Sequence, residues 1–381
     1  MPGALDGLRI IELSGIGPAP FTAMMLADHG AEVIRVSRQT PNEMFGNLSQ
    51  FDILGRSRKV IGVDMKSPAG LQVVRDLLLS ADGLIEGYRP GVMERLGLAP
   101  DTLIQDNPRL VYGRMTGWGQ EGPLASMAGH DINYIAVNGI LSTVAGRDHR
   151  PVPPVNYVGD FGGGGMLLAF GMAAALLSVA RGGPGQVVDA AMVDGSALLS
   201  AMVWQIKAGG MWSEAAGDNL LDGGAPFYGT FECADGRFVS IGAIEPQFYR
   251  ALRAVLGILD DPDFDDQLDR ARWPRLREKI AAVFFSRPRQ HWCEVFAAHD
   301  ACFAPVMSLD EAKHHPHLVA RKTYVEVAGH IQPAPAPRFS ATPPSPPMPV
   351  REPGQDATLV LASIGYSADR ISTLVAGGVV V

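Results

Sequence analysis

The chain has 381 residues and a formal net charge of −8, with 47% hydrophobic and 19% charged residues. A length of this order supports two domains, and the composition is globular, not disordered. The acidic balance excludes non-specific nucleic-acid binding while leaving room for a local basic pocket.

The opening MPGALDGLRIIEL runs from a charge straight into a strand pattern, so no secretory leader is expected. LRIIEL reads as a strand, PFTAMMLADHG as a helix and AEVIRV as a second strand. KVIGVDM, PAGLQVVRDLLLSA and GLIEGY repeat that alternation, VMERLGL and DTLIQD read as helices, and RLVYGRMTG returns to strand. Apolar strands alternating with amphipathic helices imply βαβ units with right-handed crossovers. The expected fold is α/β, a Rossmann-like large domain on a parallel sheet. GHDINYIAVNGI and VGDFGGGG then each set polar residues ahead of an apolar run. Phe161 to Ala180 carries no charge, but its glycines and its isolation favour a buried core helix, so no membrane span is expected.

From about Gly185 the pattern changes. GQVVDAAMVDGSALLSAMVWQIKAG reads as a strand entering one long helix. FYGTFECADGRFVSIGAI alternates across an ADGR turn, a hairpin signal, and helices follow it. The expected organisation is a large domain beginning at 1–200, a linker at 201–224 and a smaller α+β domain at 225–325. A proline-rich return linker at 326–350 leads to C-terminal helices at 351–381 that rejoin the large domain. Cys233, Cys293 and Cys302 show no CxxC spacing, which points to a reducing, cytoplasmic setting.

SGIGPAP sits between the first strand and first helix, where a dinucleotide fingerprint would lie. It offers Gly15 and Gly17, but the third glycine position holds Pro20. The second strand ends in Arg38, not in an acidic residue, which disfavours NAD. An arginine there suits a ribose carrying a phosphate, as in NADP or coenzyme A; it equally suits a surface position beside a tight turn. Lys66 and Arg89 also follow strands, and Arg95 lies close by. In an open parallel sheet these cations gather at the carboxyl rim, where they suit a polyanionic small molecule. Tyr88 and the arginine stems offer stacking surfaces for a purine.

Gly129 and His130 stand at a helix start, whose first-turn N–H groups can hold an anionic oxygen. The same histidine also fits as a cap or a satisfied core residue. Asp160 reads as an N-cap, with the glycines after it exposing bare backbone to a close neighbour, such as a carbonyl or carbon-bound group. Glu245, in SIGAIEPQF, follows a strand and by itself reads as a surface residue. His314, His315 and His317 have no acidic or cysteine partner at ligand spacing, so no metal is expected. No GxSxG elbow occurs.

LSGIGPAPFTAMMLADHGAEVIRV, VDMKS, LIEGYRPGVMERLGL, MTGWGQEGP, AGHDINYIAVNGIL, GDFGGGGM, GQVVDAAMVDG and ECADGRFVSIGAIEPQFY together resemble the family III CoA-transferase superfamily. GDFGGG marks the superfamily, and GHDINY combined with GAIEPQF is specific to its racemase branch. The resemblance runs nearly end to end, including GYSADRISTLVAGGVV; a peroxisomal carboxyl-terminal tripeptide is missing, so that compartment does not carry over. It implies acyl-CoA thioester substrates, with no cofactor beyond the coenzyme A that the substrate carries. It also implies an interlocked homodimer, each subunit pairing the Rossmann-like domain with the smaller one. His130 and Asp160 match the family's acid/base pair, and Glu245 matches a glutamate that orients the histidine. The nucleotide half of CoA would lie near Arg38, Val63, Asp64, Met65, Lys66, Gly87, Tyr88, Arg89 and Arg95. Gly129, Asp131, Ile132, Asn133 and Tyr134 would meet the thioester end. The expected reaction inverts C2 of a 2-methylacyl-CoA by 1,1-proton transfer through an enolate. The alternative is CoA transfer between carboxylic acids with Asp160 as nucleophile, which requires neither His130 nor Glu245.

Overall fold

RIIEL, buried after its first residue, forms β1 (Arg9–Leu13) at the centre of a six-stranded parallel sheet. The computed structural model describes residues 2–39, 51–146 and 149–381. It divides into two compact units. The first comprises Met1–Asn138, Pro154–Ser200 and Lys322–Val381; the second comprises Gly139–Pro153 and Ala201–Arg321.

In the first unit β1 is followed by α1 (Pro18–Asp28), β2 (Glu32–Ser37), β3 (Lys59–Gly62), α2 (Pro68–Leu79) and β4 (Gly83–Glu86). Next come α3 (Val92–Arg95), α4 (Pro100–Asp106), β5 (Val111–Thr116) and α5 (Asp131–Val137). The short helix α6 (Ile140–Thr143) belongs to the second unit. The chain then re-enters the first through a π-helical stretch, Tyr157–Met166, that continues into α7 (Leu167–Ala180), β6 (Gln186–Ala191) and α8 (Met192–Leu199). The strand order is β3-β2-β1-β4-β5-β6, every pair parallel. This is the doubly wound order, and its reversal between β1 and β4 opens a crevice at the carboxyl ends of those strands.

Side chains alternate across a strand, so a sheet covered on both faces needs apolar residues at nearly every position. Ile10 accordingly packs with Val33, Ile85, Val111, Leu168 and Met172 on one face. Its neighbour Ile11 packs on the other with Ile34, Val74, Leu77, Val360 and Leu361. The last two residues come from the C-terminal helices, so the end of the chain completes the first unit's core. Val60 N–H also donates to Asp356 at 3.0 Å. Tyr157–Ala180 is long and apolar enough to cross a membrane by length and composition, and half of its most apolar 18-residue window is buried in the protein.

The second unit holds α9 (Ala201–Ala208), β7 (Tyr228–Glu232), β8 (Phe238–Gly242), α10 (Pro246–Val255), α11 (Trp273–Phe285), α12 (Arg289–Phe296) and β9 (Phe303–Pro305), then α13 (Leu309–Ala312) and α14 (Pro316–Ala320). Its antiparallel sheet runs β7-β8-β9 over a core that includes Phe227, Phe231, Phe264, Phe284 and Trp292. The hairpin expected at ADGR is β7–β8. The first unit closes with β10 (Tyr324–Val327), β11 (His330–Pro333), α15 (Ala357–Ser363) and α16 (Ala368–Ala376).

Two local expectations change. The single long helix expected after β6 is two helices, broken at Ser200. There the amide and hydroxyl of Ser200 both bond to the Ala197 carbonyl, at 3.1 and 2.7 Å, closing the turn. The start of the proline-rich stretch is not all tether, because β10 and β11 form a hairpin. Ala328 and Gly329, at φ 51° and 82°, supply the paired left-handed residues of a tight hairpin turn.

Candidate active site

Beyond β5 the chain passes through Gly117, Trp118 and Gly119 before reaching the start of α5. A Cβ on Gly117 would stand 2.1 Å from the Tyr134 ring, and one on Gly129 would stand 2.7 Å from it. Both positions therefore need glycine if the ring is to lie between them. Tyr134 donates its hydroxyl to the Gly129 carbonyl and meets Trp118 edge-on at 4.8 Å. These contacts pin the segment that ends in His130.

His130 is the N-cap of α5, extended at φ −131° and ψ 173°. Its amide donates to Asn133 Oδ1 at 3.0 Å, and the residue is exposed. Asp131 follows and is buried, at 5% exposure. Its Oδ2 accepts the amide N–H of Asp160 at 2.7 Å.

Asp160 is not the N-cap that the sequence suggests. It lies inside the wide π-helical stretch, where Phe161 N–H reaches back to the Asn156 carbonyl. Asn156 Nδ2 donates to Asp160 Oδ2 at 3.0 Å. A Cβ on Gly17, in the loop after β1, would lie 3.5 Å from that same oxygen. The carboxyl group thus stands at the crevice between β1 and β4. Burial pushes its pKa up and the Asp131 charge adds to the rise, against the Asn156 hydrogen bond and the charge of His130.

The glycines after Asp160 face the protein itself and not a ligand carbonyl. A Cβ on Gly163 would lie 2.4 Å from Ser196 N, one on Gly164 2.9 Å from Met192 Cγ, and one on Gly165 2.7 Å from Phe21. Bare backbone is what lets α8 and α1 approach the stretch that carries Asp160.

The cations sit where the topology puts them. Arg38 follows β2, Lys66 follows β3, Arg89 follows β4 and Arg95 ends α3, all four exposed. Burial raises the Tyr88 hydroxyl pKa, and the positive charge of Arg38 opposes that rise, so the loops after β2 and β4 converge. Arg89 acts in the same way on Tyr134, whose pKa burial raises to about 12. Gly87 is exposed, and a Cβ there would come within 3.3 Å of Ala19. Asp64 accepts Lys66 N–H at 3.0 Å. Val63 lies in the core and Met65 packs against it, and the amide N–H groups of Val63, Asp64 and Met65 are taken by the Ser37, Val379 and Val63 carbonyls. Ile132 and Asn133 are exposed on α5. Glu245 is in the second unit, exposed at the N-cap of α10. Among the described residues no cluster of His, Cys, Asp or Glu is placed to hold a metal ion.

Two contacts escape a reading of the sequence. Asn156 precedes Asp160 by one helical turn, a spacing that is the only hint of their bond. Glu86, buried at the end of β4, accepts Tyr88 N–H at 2.7 Å and Arg114 Nε–H at 3.0 Å, anchoring the loop that carries Arg89.

A half-buried carboxyl group with a raised pKa, an imidazole in its electrostatic reach and a cationic rim beside both make a site fit for proton transfer on an anionic ligand. Residues 5–357 match the CoA-transferase family III. The chain is 42% identical over 373 residues to the alpha-methylacyl-CoA racemase of Mus musculus, covering 97% of this chain and 96% of that one. It is 41% identical over 376 residues to the alpha-methylacyl-CoA racemase of Homo sapiens, with the same coverage. A CaiB/BaiF family protein from Brucella suis superposes with a TM-score of 0.81 at 23% identity, covering 96% of this chain and all of that one, a likeness of fold alone.

Proposed function

The chain belongs to the family III CoA-transferases, and from that premise we propose that it is an α-methylacyl-CoA racemase, an isomerase that interconverts (2R)- and (2S)-2-methylacyl-CoA thioesters. The observation that carries this reading is geometric: His130 caps α5, and the next residue, Asp131, holds the Asp160 amide at 2.7 Å, so the imidazole and the carboxyl group stand on adjoining segments. A transferase that uses Asp160 as a nucleophile has no need of that imidazole.

Inverting the carbon next to a thioester requires a base on one face and an acid on the other. One group takes the C2 proton and the opposite group returns one; the roles exchange with the hand of the substrate. A carboxyl group held above its usual range gives up its proton less readily to solvent, which suits a group that must return one to C2. Charge gathers on the thioester oxygen of the enolate. The first-turn N–H groups of α5, at Asp131 and Ile132, are the donors assigned to it, and such a donor contributes about 3–4 kcal/mol. Glu245 is assigned to orient His130, the role the family resemblance gives it. Gly129, Asn133 and Tyr134 complete the thioester end.

Arg38, Lys66, Arg89 and Arg95 are assigned to the phosphates of CoA, and Tyr88 to its purine, with Gly87 and the Val63–Met65 backbone alongside. The enzyme is proposed to be cytoplasmic, to need no separate cofactor, and to work as an interlocked homodimer. Exposed apolar side chains support self-association: Phe170 and Leu177 on α7 are 73% and 53% exposed, and Leu198 on α8 is 63% exposed.

The test is incubation with a (2R)-2-methylacyl-CoA in D₂O with no acceptor acid. Loss of configuration with deuterium entering C2 is expected, and His130→Ala should slow it at least about 100-fold. Movement of CoA to an added carboxylic acid without label at C2 would replace racemase with transferase.

A further inference from the structure

We infer that Asp131 is a positioning residue: it straps the segment carrying His130 to the segment carrying Asp160 and sets a carboxylate beside Asp160. The inference rests on the acid/base reading above. Asp131 follows His130 in the chain, so its backbone moves with the imidazole. Its Oδ2 accepts the backbone N–H of Asp160 at 2.7 Å, so the opposite base moves with its side chain. A Cβ on Gly159 would lie 2.6 Å from that oxygen, so the carboxylate reaches the amide only because position 159 has no side chain. The far end of α5 is held separately: Asn138 Nδ2 donates to Val193 O at 2.9 Å and to Ser196 Oγ at 2.7 Å, both on α8. Ser196 in turn abuts Gly163 in the stretch that carries Asp160. Asp131 is therefore the direct strap at the end of α5 where the chemistry takes place.

An asparagine could accept the same hydrogen bond, so the bond alone does not call for a carboxylate. The other oxygen, Oδ1, is buried and has no hydrogen-bond partner among the described residues. What the carboxylate adds is charge. The ionisable groups around Asp160 are His130, Asp131 and Tyr134 of α5, with Arg89 reaching Tyr134 from the loop after β4. The glycines that follow Asp160 meet Pro18 and Phe21 of α1 and Met192, Gly195 and Ser196 of α8, none of them ionisable, while Asp194 of α8 acts on Asp189. On β5, Arg114 is engaged by Glu86 and Glu94. Asp131 is thus the neighbouring anion that helps Asp160 keep a proton.

Two variants separate strap from charge. Asp131→Ala removes both, and kcat should fall about 100-fold, the scale of a base displaced by an ångström, with KM moving less. Asp131→Asn keeps the acceptor and the volume, so most of kcat should return. Its pH profile should differ, however. Without the neighbouring anion Asp160 releases its proton more readily, so the inflection belonging to Asp160 moves to lower pH in both reaction directions. Circular dichroism on both variants checks the fold, and the asparagine variant carries the test if the alanine variant does not fold. Wild-type kcat in Asp131→Ala, or an unmoved pH profile in Asp131→Asn, overturns the inference. Deuterium entry with the unsubstituted enzyme tests the racemase reading alone, whereas the ratio of variant to unsubstituted enzyme tests Asp131.

Discussion

Two sets of arginines in the first unit use the same charge differently. Arg35, Arg56, Arg58 and Arg114 are shielded from solvent and engaged by carboxylates: Arg35 and Arg58 by Glu12, Arg56 by Asp28, and Arg114 by Glu86. Arg38, Arg89 and Arg95 are exposed at the carboxyl rim and have no carboxylate within salt-bridge distance among the described residues. The first group ties neighbouring strands, loops and helix ends together, since a buried cation persists only when it is paired. The second group leaves its charge exposed, as the proposed role on the CoA phosphates requires. Position in the topology, more than residue type, separates scaffold from site.

Replacing a member of each group should break different observables. The largest effect is expected at Arg56, which is 3% exposed. It bonds Asp28, Gln332 Oε1 at 2.8 Å and the Pro333 carbonyl at 2.7 Å, joining α1 to β11. Arg56→Ala strands a buried aspartate and should cost about 3–5 kcal/mol of folding stability, measured by denaturant unfolding. Molecules that remain folded should keep their KM. At the rim, Arg89→Ala should leave unfolding nearly unchanged while raising KM for the acyl-CoA about tenfold, the loss of one charge-assisted contact. That ratio should shrink as salt is added, because an exposed charge is screened. A rim variant that unfolds, or an Arg56 variant that changes only KM, would erase the distinction.

The same topology explains what the sequence makes legible. β1, β2, β4 and β5 can be read from their apolar runs because both faces of the sheet are covered, and the rim cations follow from strand order. β9 spans only Phe303–Pro305, too short to show a period. The setting of Asp160 is hidden for another reason. An acidic residue before glycines looks like a helix cap, yet the partners that require those glycines, Gly195 and Ser196, come from α8 after a whole helix and strand have intervened. A Cβ on Gly195 would stand 1.8 Å from the Gly163 carbonyl oxygen. Nothing local signals that approach. Asp131 is similar: the family resemblance expects it at the thioester end, and only the fold brings the Asp160 amide to its carboxylate.

The smallest effect, and the finest division between scaffold and rim, is expected at Glu94. It lies on α3, whose last residue is the rim cation Arg95, and it accepts from Arg114 NH1 at 2.9 Å. Its side chain is 41% exposed, whereas its fellow acceptor Glu86 is buried. Burial pushes the Glu86 pKa up despite its Tyr88 and Arg114 partners. At Glu94 burial works in the same direction, but the hydrogen bond and charge of Arg114 outweigh it and hold the carboxyl below its ordinary value. A carboxylate depressed by folding stabilises the protein above its unfolded pKa, and that contribution is lost as pH falls through the folded value. Exposure keeps it small, so Glu94→Gln should cost about 0.2–1 kcal/mol at neutral pH. The gap between variant and unsubstituted protein should close in acid, where both side chains are neutral. KM should barely move, because Glu86 still holds Arg114 and the Tyr88 amide. Thermal unfolding at neutral and acidic pH reads this directly. A gap that persists in acid would mean that Glu94 acts through packing, and that the scaffold's reliance on paired charge ends at Glu86.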